Sequence, residues 1–345
     1  GVQTCALPIL IYNERKECIR IVGYNLDKYQ KDAVETNHKN VLVVAAPGSG
    51  KTTVIINRVN HLVNKLQVSN SNIIIITFTK AAAVNMKKRY ESAYNTNTSP
   101  FFGTFHGLFY KMLLRSGREI DIIDGGVAHK IVSSILNKYF DEVNDDKIKE
   151  TINNISIFKT SRQLLNEFKP SISKEIFEEA YNTYEQYKEE NNKWDFDDLA
   201  IKTLEMLQND KNLLEGYRRL FKYILVDEFQ DCDEMQIDFL KMINDESENS
   251  LFAVGDEDQC IYSFRGSKPE YMVSFDKIFE NGKKHYLSIN YRSKKNIVEK
   301  SKQVIKYNKE RNNKEIKWNK DNDGIIKWFN SYNEKIQGER SEEHT

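Results

Sequence analysis

The chain has 345 residues, 39% of them apolar and 11% aromatic, enough for two or three domains with buried cores, and this excludes a disordered chain. Lys and Arg number 51 and so do Asp and Glu. The formal charge is therefore zero, and any nucleic-acid site must be a local groove rather than a generally basic body. The apolar runs, Ile73–Ile76 among them, are far short of a membrane span. Cys5, Cys18, Cys232 and Cys260 form no CxxC pair, so no zinc or iron–sulfur site is indicated, and they read as the reduced thiols of a cytoplasmic protein.

In chain order, Gly1–Ile9 lacks a charged start and is broken by Pro8, so it is no secretory signal. Segments 1–9 and 340–345 read as non-native ends, and the reading frame is expected to be truncated. Short β-branched runs bounded by turn signals predict strands at Val41–Ala45, Ile73–Thr77, Tyr223–Val226, Leu251–Val254 and Tyr286–Ile289. Uninterrupted apolar runs of this kind suit a parallel sheet buried on both faces. Between them, Thr53–Leu66 and Ala81–Tyr90 have helical periods. From about Leu108 to Lys193 there are helical patterns but no strand, and Ile176, Phe177, Ala180, Tyr181 and Tyr184 form one apolar face. That stretch is expected to be a helical insertion, with Asp198–Gln208 leading back into the sheet. Arg292–Lys320 holds eleven Lys or Arg against Glu299, Glu310 and Glu315, which reads as a solvated face.

Three clusters carry chemistry. Ala45-Ala46-Pro47-Gly48-Ser49-Gly50-Lys51-Thr52 follows a predicted strand and opens a helix, the setting of a phosphate-binding loop. Its glycines let backbone N–H groups face phosphate oxygens, Lys51 adds a charge, and the Thr52 hydroxyl suits Mg²⁺. Val226-Asp227-Glu228-Phe229-Gln230-Asp231 places an acidic pair at a strand's C-terminal end. There Asp227 can hold Mg²⁺, directly or through water, and Glu228 can take a proton from an attacking water. Gly255–Gly266 follows another strand. In it Gln259 suits sensing of a γ-phosphate, while Tyr262, Phe264 and Arg265 suit stacking on unpaired bases beside a phosphate.

These clusters, with others in the same order, resemble the UvrD/Rep group of superfamily 1 DNA helicases over about Leu26 to Glu334. Leu26–Gln30 resembles the Q motif, Ala46–Thr53 motif I, Ile76–Ala82 motif Ia and Gly103–His106 the GTFH segment. Asp195–Leu199 resembles the DFDDL segment, VDEFQD motif II, GDEDQCIYSFRGS motif III and Leu287–Ser293 motif IV. The resemblance implies ATP contacts from Gln30 (adenine), Ala46, Pro47, Gly48, Ser49, Gly50, Lys51, Thr52, Thr53, Tyr291 (adenine stacking) and Arg292 (γ-phosphate). It implies DNA contacts from Phe78, Thr79, His106, Tyr262, Phe264 and Arg265. His106 taken alone reads as a packed or capping residue, and Asp195, Asp197 and Asp198 read as helix caps. Lys80-Ala81 stands where the family usually has Asn-Lys, and Phe264 where it commonly has Trp. Motifs V and VI are missing, so weak turnover is expected of the chain as written.

The expected fold is α/β, a RecA-like P-loop NTPase sheet with a helical insertion subdomain and the start of a second RecA-like domain. The expected divisions are 12–107 and 194–283 for the first domain, 108–193 for the insertion and 284–338 for the incomplete second domain. The expected function is an ATP-dependent helicase or translocase on single-stranded DNA, 3′→5′ by resemblance. Glu228, Lys51, Gln259 and Arg292 would be catalytic, with metal at Thr52 and Asp227. Expected ligands are ATP and Mg²⁺. Expected partners are single-stranded DNA, single/double-strand junctions and proteins of repair, recombination or defence. The alternative is a DNA-stimulated NTPase switch without unwinding of its own. A P-loop small-molecule kinase is disfavoured by the motif Ia and motif III aromatics.

Overall fold

The computed structural model describes residues 25–263 and 266–326. The two ends, Phe264 and Arg265 lie outside the described residues, so the DNA-contact expectations for Phe264 and Arg265 gain no structural account.

The first elements are α1 (Lys28–Val34), β1 (Asn40–Ala45), α2 (Lys51–Asn60), β2 (Ile73–Ile76), α3 (Lys80–Tyr94) and β3 (Phe101–Gly103). A helical stretch follows: α4 (Phe105–Arg115), α5 (Gly125–Leu136), α6 (Asp145–Ser161), α7 (Lys174–Glu190), α8 (Phe196–Asn209) and α9 (Lys211–Leu220). Then come β4 (Tyr223–Val226), α10 (Glu234–Ile243), β5 (Ser250–Gly255), α11 (Glu270–Val273), α12 (Phe275–Ile278), β6 (Lys283–Leu287), β7 (Ile289–Lys294), α13 (Lys295–Ile305) and β8 (Lys317–Lys320).

Six strands form one sheet in the order β3-β2-β4-β5-β1-β6, every pair parallel. Alternate residues of each strand serve opposite faces. Val41, Val43, Ala45, Ile73, Ile75, Leu225 and Val254 meet the buried side of α2 (Val54, Ile55, Ile56, Val59). Leu42, Val44, Ile74, Ile76, Ile224, Val226, Leu251 and Ala253 meet α4, α8 and α10 through Phe105, Phe109, Leu204, Leu207, Phe239 and Leu240. Both faces are covered, which is why these strands read as unbroken apolar runs.

The helical stretch lies between β3 and β4, as expected, but it divides. Leu108 and its helix α4 belong to the sheet's core, whereas a separate core from Ile123 to Tyr184 joins α5, α6 and α7. The division drawn at residue 108 therefore falls inside α4. The one at 283/284 falls inside β6, whose Lys283–Leu287 pairs with Val41–Ala45 of the first sheet. The expected single strand Tyr286–Ile289 is two: β6 ends at Leu287, the Ser288 carbonyl accepts from the Lys317 N–H at 2.7 Å, and β7 pairs with β8 in a separate two-stranded sheet. The helix expected over Thr53–Leu66 is α-helical to Asn60 and closes with a π turn, His61–Lys65. β3 was not expected, being three residues long and too short to show a period.

The insertion is fastened to α8 by buried charge. Asp195 caps α8 in a reciprocal box with Asp198, which bears out the capping expectation for that pair. The same two carboxylates bind the ammonium groups of Lys159 on α6 and Lys188 on α7 at 2.6–2.8 Å. Glu185 completes the cluster at 3.1 and 2.9 Å from the two lysines. Against the cost of burial, the two ammonium groups hold the Asp195 carboxyl well below its usual range.

Asp197 accepts from the Ser156 hydroxyl at 3.0 Å and, among the described residues, takes no hydrogen bond from either lysine. Burial, then the nearby Asp195 charge, pushes its carboxyl up to about 7. Its folded value exceeds the unfolded one, so the folded state holds a proton that the unfolded chain has released. Stability from this group is full below the unfolded value and is lost as pH rises through the folded one. Asp197→Asn keeps an acceptor for Ser156. It is expected to change nothing near pH 4, to stabilise increasingly toward pH 7, and to level off at roughly 2–4 kcal/mol above that. Urea unfolding of both proteins across this range checks it, and an equal stability difference at every pH would contradict it.

Candidate nucleotide and DNA site

The phosphate loop connects the C-terminal end of β1 to the N-terminus of α2. Gly48 and Gly50 take φ values of +71° and +92°, which glycine adopts without strain. A Cβ on Gly48 would lie 2.5 Å from the Arg292 Cβ, and one on Gly50 2.6 Å from the Gln30 Nε2. Ser49 is buried and donates from its hydroxyl to the Ala46 carbonyl at 2.7 Å. Ala46 is buried, Pro47 is exposed, and Lys51, Thr52 and Thr53 on the first turn of α2 are half-buried. The loop thus presents its backbone at a helix N-terminus, where an anion is favoured.

β4 delivers Asp227 and Glu228 to the same edge of the sheet. Lys51 Nζ lies 2.8 Å from Glu228 Oε2, joining two groups that are distant in sequence. Glu228 adopts φ +50° and ψ +48°, a left-handed conformation costing a non-glycine residue on the order of 1–3 kcal/mol. That strain turns its side chain off the strand line toward the loop. Asp227 is 8% exposed, and its Oδ1 is buried with no hydrogen-bond partner among the described residues. Burial, then the Glu228 charge, raises its carboxyl to about 7, with Lys51 opposing. Asp231 is raised to about 6 by the same two causes and also has an unpartnered buried oxygen. Buried, underpaired carboxylate oxygens beside one ammonium are a donor set that fits a hard divalent cation.

Three glutamines meet this edge. Gln259 donates to Asp256 Oδ2 at 2.5 Å. The glutamine that touches Glu228 is Gln230, whose Nε2 donates to Glu228 Oε2 at 3.1 Å and to Asp231 Oδ2 at 3.3 Å. Its Oε1 accepts the Asp256 N–H at 2.9 Å, linking the ends of β4 and β5. Gln30 is buried: its Oε1 accepts the Asp27 N–H in a capping box, and its Nε2 donates to the Ser49 carbonyl at 3.0 Å. It therefore ties α1 to the phosphate loop.

β7 closes over the loop. Tyr291 N–H donates to the Gly48 carbonyl at 2.9 Å, and its hydroxyl donates to Asp27 Oδ2 at 2.5 Å. Burial and that bond push its phenol above the usual range. Asn290, which the sequence reading passed over, donates to the Pro47 carbonyl at 2.8 Å and accepts from the N–H groups of Arg292 and Ser293. Arg292 is exposed beside Gly48.

The aromatic expectations fall into two groups. Phe78, after β2, stacks on Tyr262 with centroids 4.8 Å apart and planes 28° from parallel. Thr79 is exposed and its hydroxyl caps α3 by accepting the Ala82 N–H at 3.1 Å. His106 lies elsewhere, edge-on to Phe196 at 5.6 Å, with burial lowering its imidazole below the usual range. Phe196 is 60% exposed, a large uncovered ring beside His106 that the sequence reading did not single out.

No described helix is long and apolar enough to cross a membrane. The chain is 33% identical over 326 residues to a putative ATP-dependent DNA helicase, YjcD, of Bacillus subtilis, covering 91% of this chain and 42% of that protein. It is 35% identical over 308 residues to a probable DNA helicase II homolog of Mycoplasma capricolum, covering 84% and 42%. With the ATP-dependent DNA helicase PcrA of Bacillus subtilis the identity is 32% over 328 residues, covering 91% and 44%. The chain thus spans less than half the length of these curated relatives. Residues 26–280 match the UvrD/REP helicase N-terminal domain. That match takes in the phosphate loop, the strained Glu228 turn and the Gly255–Gln259 turn together, and by it the chain belongs to the UvrD/REP helicase family.

Proposed function

We propose that this chain is the nucleotide-binding part of an ATP-dependent motor on single-stranded DNA, moving 3′→5′ in the cytoplasm. The observation that carries this reading is the Lys51–Glu228 contact at 2.8 Å on the C-terminal edge of a parallel sheet. It joins a phosphate-loop cation to a carboxylate suited to act as a base. The triphosphate competes for Lys51 and frees Glu228 to accept a proton from water. The backbone of Ala46–Thr53 cradles the phosphates, Arg292 reaches the γ-phosphate and Tyr291 stacks on adenine beside Gln30. Thr52 and Asp227 hold Mg²⁺, which when bound neutralises charge on the phosphate oxygens. Gln230 keeps Glu228 oriented, and Gln259 reports nucleotide state to the Tyr262 turn. The Tyr262–Phe78 pair and Thr79 form one part of the DNA track and His106 another, and Phe264 and Arg265 are assigned DNA contacts by family resemblance alone. Residues after β6, from β7 (Ile289–Lys294) onward, begin a second RecA-like domain. Single/double-strand junctions are the preferred DNA, and repair, recombination or defence proteins the partners.

The test is ATP hydrolysis by the full gene product with and without single-stranded DNA, followed by strand displacement on a 3′-tailed duplex. Stimulated hydrolysis with displacement is expected. Stimulation without displacement identifies the switch, and no ATP binding rejects the reading. Phe78→Ala is expected to weaken single-stranded DNA binding by about 1–3 kcal/mol, the worth of one base–aromatic stack, with ATP affinity unchanged. Fluorescence anisotropy with labelled oligonucleotide checks this. Unchanged DNA affinity would make Phe78 only a packing partner of Tyr262.

A further inference from the structure

The turn after β5 carries consecutive carboxylates, Asp256, Glu257 and Asp258, whose oxygens lie within 4.8 Å of one another. Asp256 and Glu257 are buried. Such a cluster flies apart unless cations hold it. The cations come from the irregular segment between α13 and β8. Lys314, its side chain 4% exposed, bonds Asp256 and lies 3.1 Å from Glu257 and 2.9 Å from Asp258. Arg311 Nη2 lies 2.8 Å from Asp258, and Asn308 donates to the same carboxylate at 3.0 Å. The Asn312 N–H donates to Glu257 Oε1 at 2.9 Å. The apolar tie between the phosphate loop and the later elements is small by comparison, with Ala46, Val298 and Ile316 buried and Trp318 against them.

Asp256 is also the next link beyond Gln230. Its N–H donates to Gln230 Oε1, and Gln230 donates to Glu228. Its carboxylate holds the Gln259 amide. Bonds therefore run without a gap from Glu228 through Gln230 and Asp256 to Lys314.

We propose that Lys314 is a positioning residue: by clamping Asp256 it fixes Gln230 and hence Glu228, so that turnover depends on segment 308–314 being seated on the first sheet. This rests on Glu228 acting as the base. Segment 308–314 is anchored by α13 and β8, so a shift of those elements relative to the sheet would pull the ammonium from the acidic turn and loosen Glu228. Polar chains of this kind have two discrete arrangements, made or broken, and transmit displacement across a packed interface.

The experiment compares Lys314→Met, Lys314→Arg and Arg311→Gln with wild type in the full gene product. Hydrogen exchange reads the Asp256 amide without nucleotide, and steady-state hydrolysis separates kcat from KM. In Lys314→Met the Asp256 amide is expected to exchange about 100-fold faster, with β1 and β4 amides unchanged. Its kcat falls about 100-fold at unchanged KM for ATP, the scale of a 1 Å misplacement of a catalytic group. Lys314→Arg restores both. Arg311→Gln, which keeps Lys314, shifts both in the same direction by less. Wild-type protection and kcat in folded Lys314→Met overturn the proposal. If that variant does not fold, wild-type values in Arg311→Gln overturn it. Absence of hydrolysis in the wild type removes the ATPase reading, and the exchange measurement still decides the Lys314–Asp256 link.

Discussion

Glu228→Gln is expected to bind ATP and fail to turn it over. The side chain keeps its length, and its amide oxygen can still accept from Gln230, which donates to Glu228 Oε2 at 3.1 Å. What is lost is proton acceptance, worth about 10²–10⁴-fold in rate for a positioned base. The substitution also removes the carboxylate that holds Lys51 at 2.8 Å in the absence of nucleotide. The phosphates then no longer compete for that ammonium, so ATP affinity is expected to equal or exceed wild type. Titration with a fluorescent ATP analogue beside a phosphate-release assay separates the two effects. A variant that loses binding and keeps its hydrolysis rate would assign the base elsewhere.

Much of the sheet is legible because its chemistry is local. β1, β2, β4 and β5 lie inside the sheet, buried along their length apart from the half-buried Tyr223, so each is an apolar run whichever neighbours it has. β6 is an edge strand, Lys283-Lys284-His285-Tyr286-Leu287, whose polar residues hide it until its pairing with β1 is known. The phosphate loop and the Asp227–Glu228 pair are legible for the same reason: spacing within a few residues sets their geometry. Which glutamine touches Glu228 is not legible. Gln230 and Gln259 both follow strands, and the choice depends on the β4–β5 register, Val226 opposite Ala253, which brings the Gln230 oxygen to the Asp256 N–H. Lys314 is misread for a related reason. In a basic stretch it counts as one more solvated lysine, and only the fold sets it against Asp256, Glu257 and Asp258. Asn290 likewise has no signal of its own, since its partners are main-chain groups of the Pro47 loop and of its own turn.

Lys51→Ala is expected to abolish measurable ATP hydrolysis while leaving the fold intact. In the phosphate-loop sequence Ala46–Thr53 it is the sole cationic side chain. Removing one preorganised donor to the developing charge costs about 10²–10³-fold in kcat, and loss of ground-state phosphate attraction adds to that in kcat/KM. The structural cost is small. The Lys51 partner Glu228 is 36% exposed, so water can take over its solvation, and a pair of that exposure contributes only about 0–1 kcal/mol. Asp227 and Asp231 lose an opposing positive charge, which favours their protonated forms and keeps the edge from carrying three uncompensated carboxylates. Thermal unfolding within a few degrees of wild type, together with lost hydrolysis and weakened ATP binding, is the expected result. Hydrolysis near the wild-type rate in a folded Lys51→Ala protein would remove the phosphate loop from the reaction. The Lys51–Glu228 pair would then be a surface contact with no part in turnover.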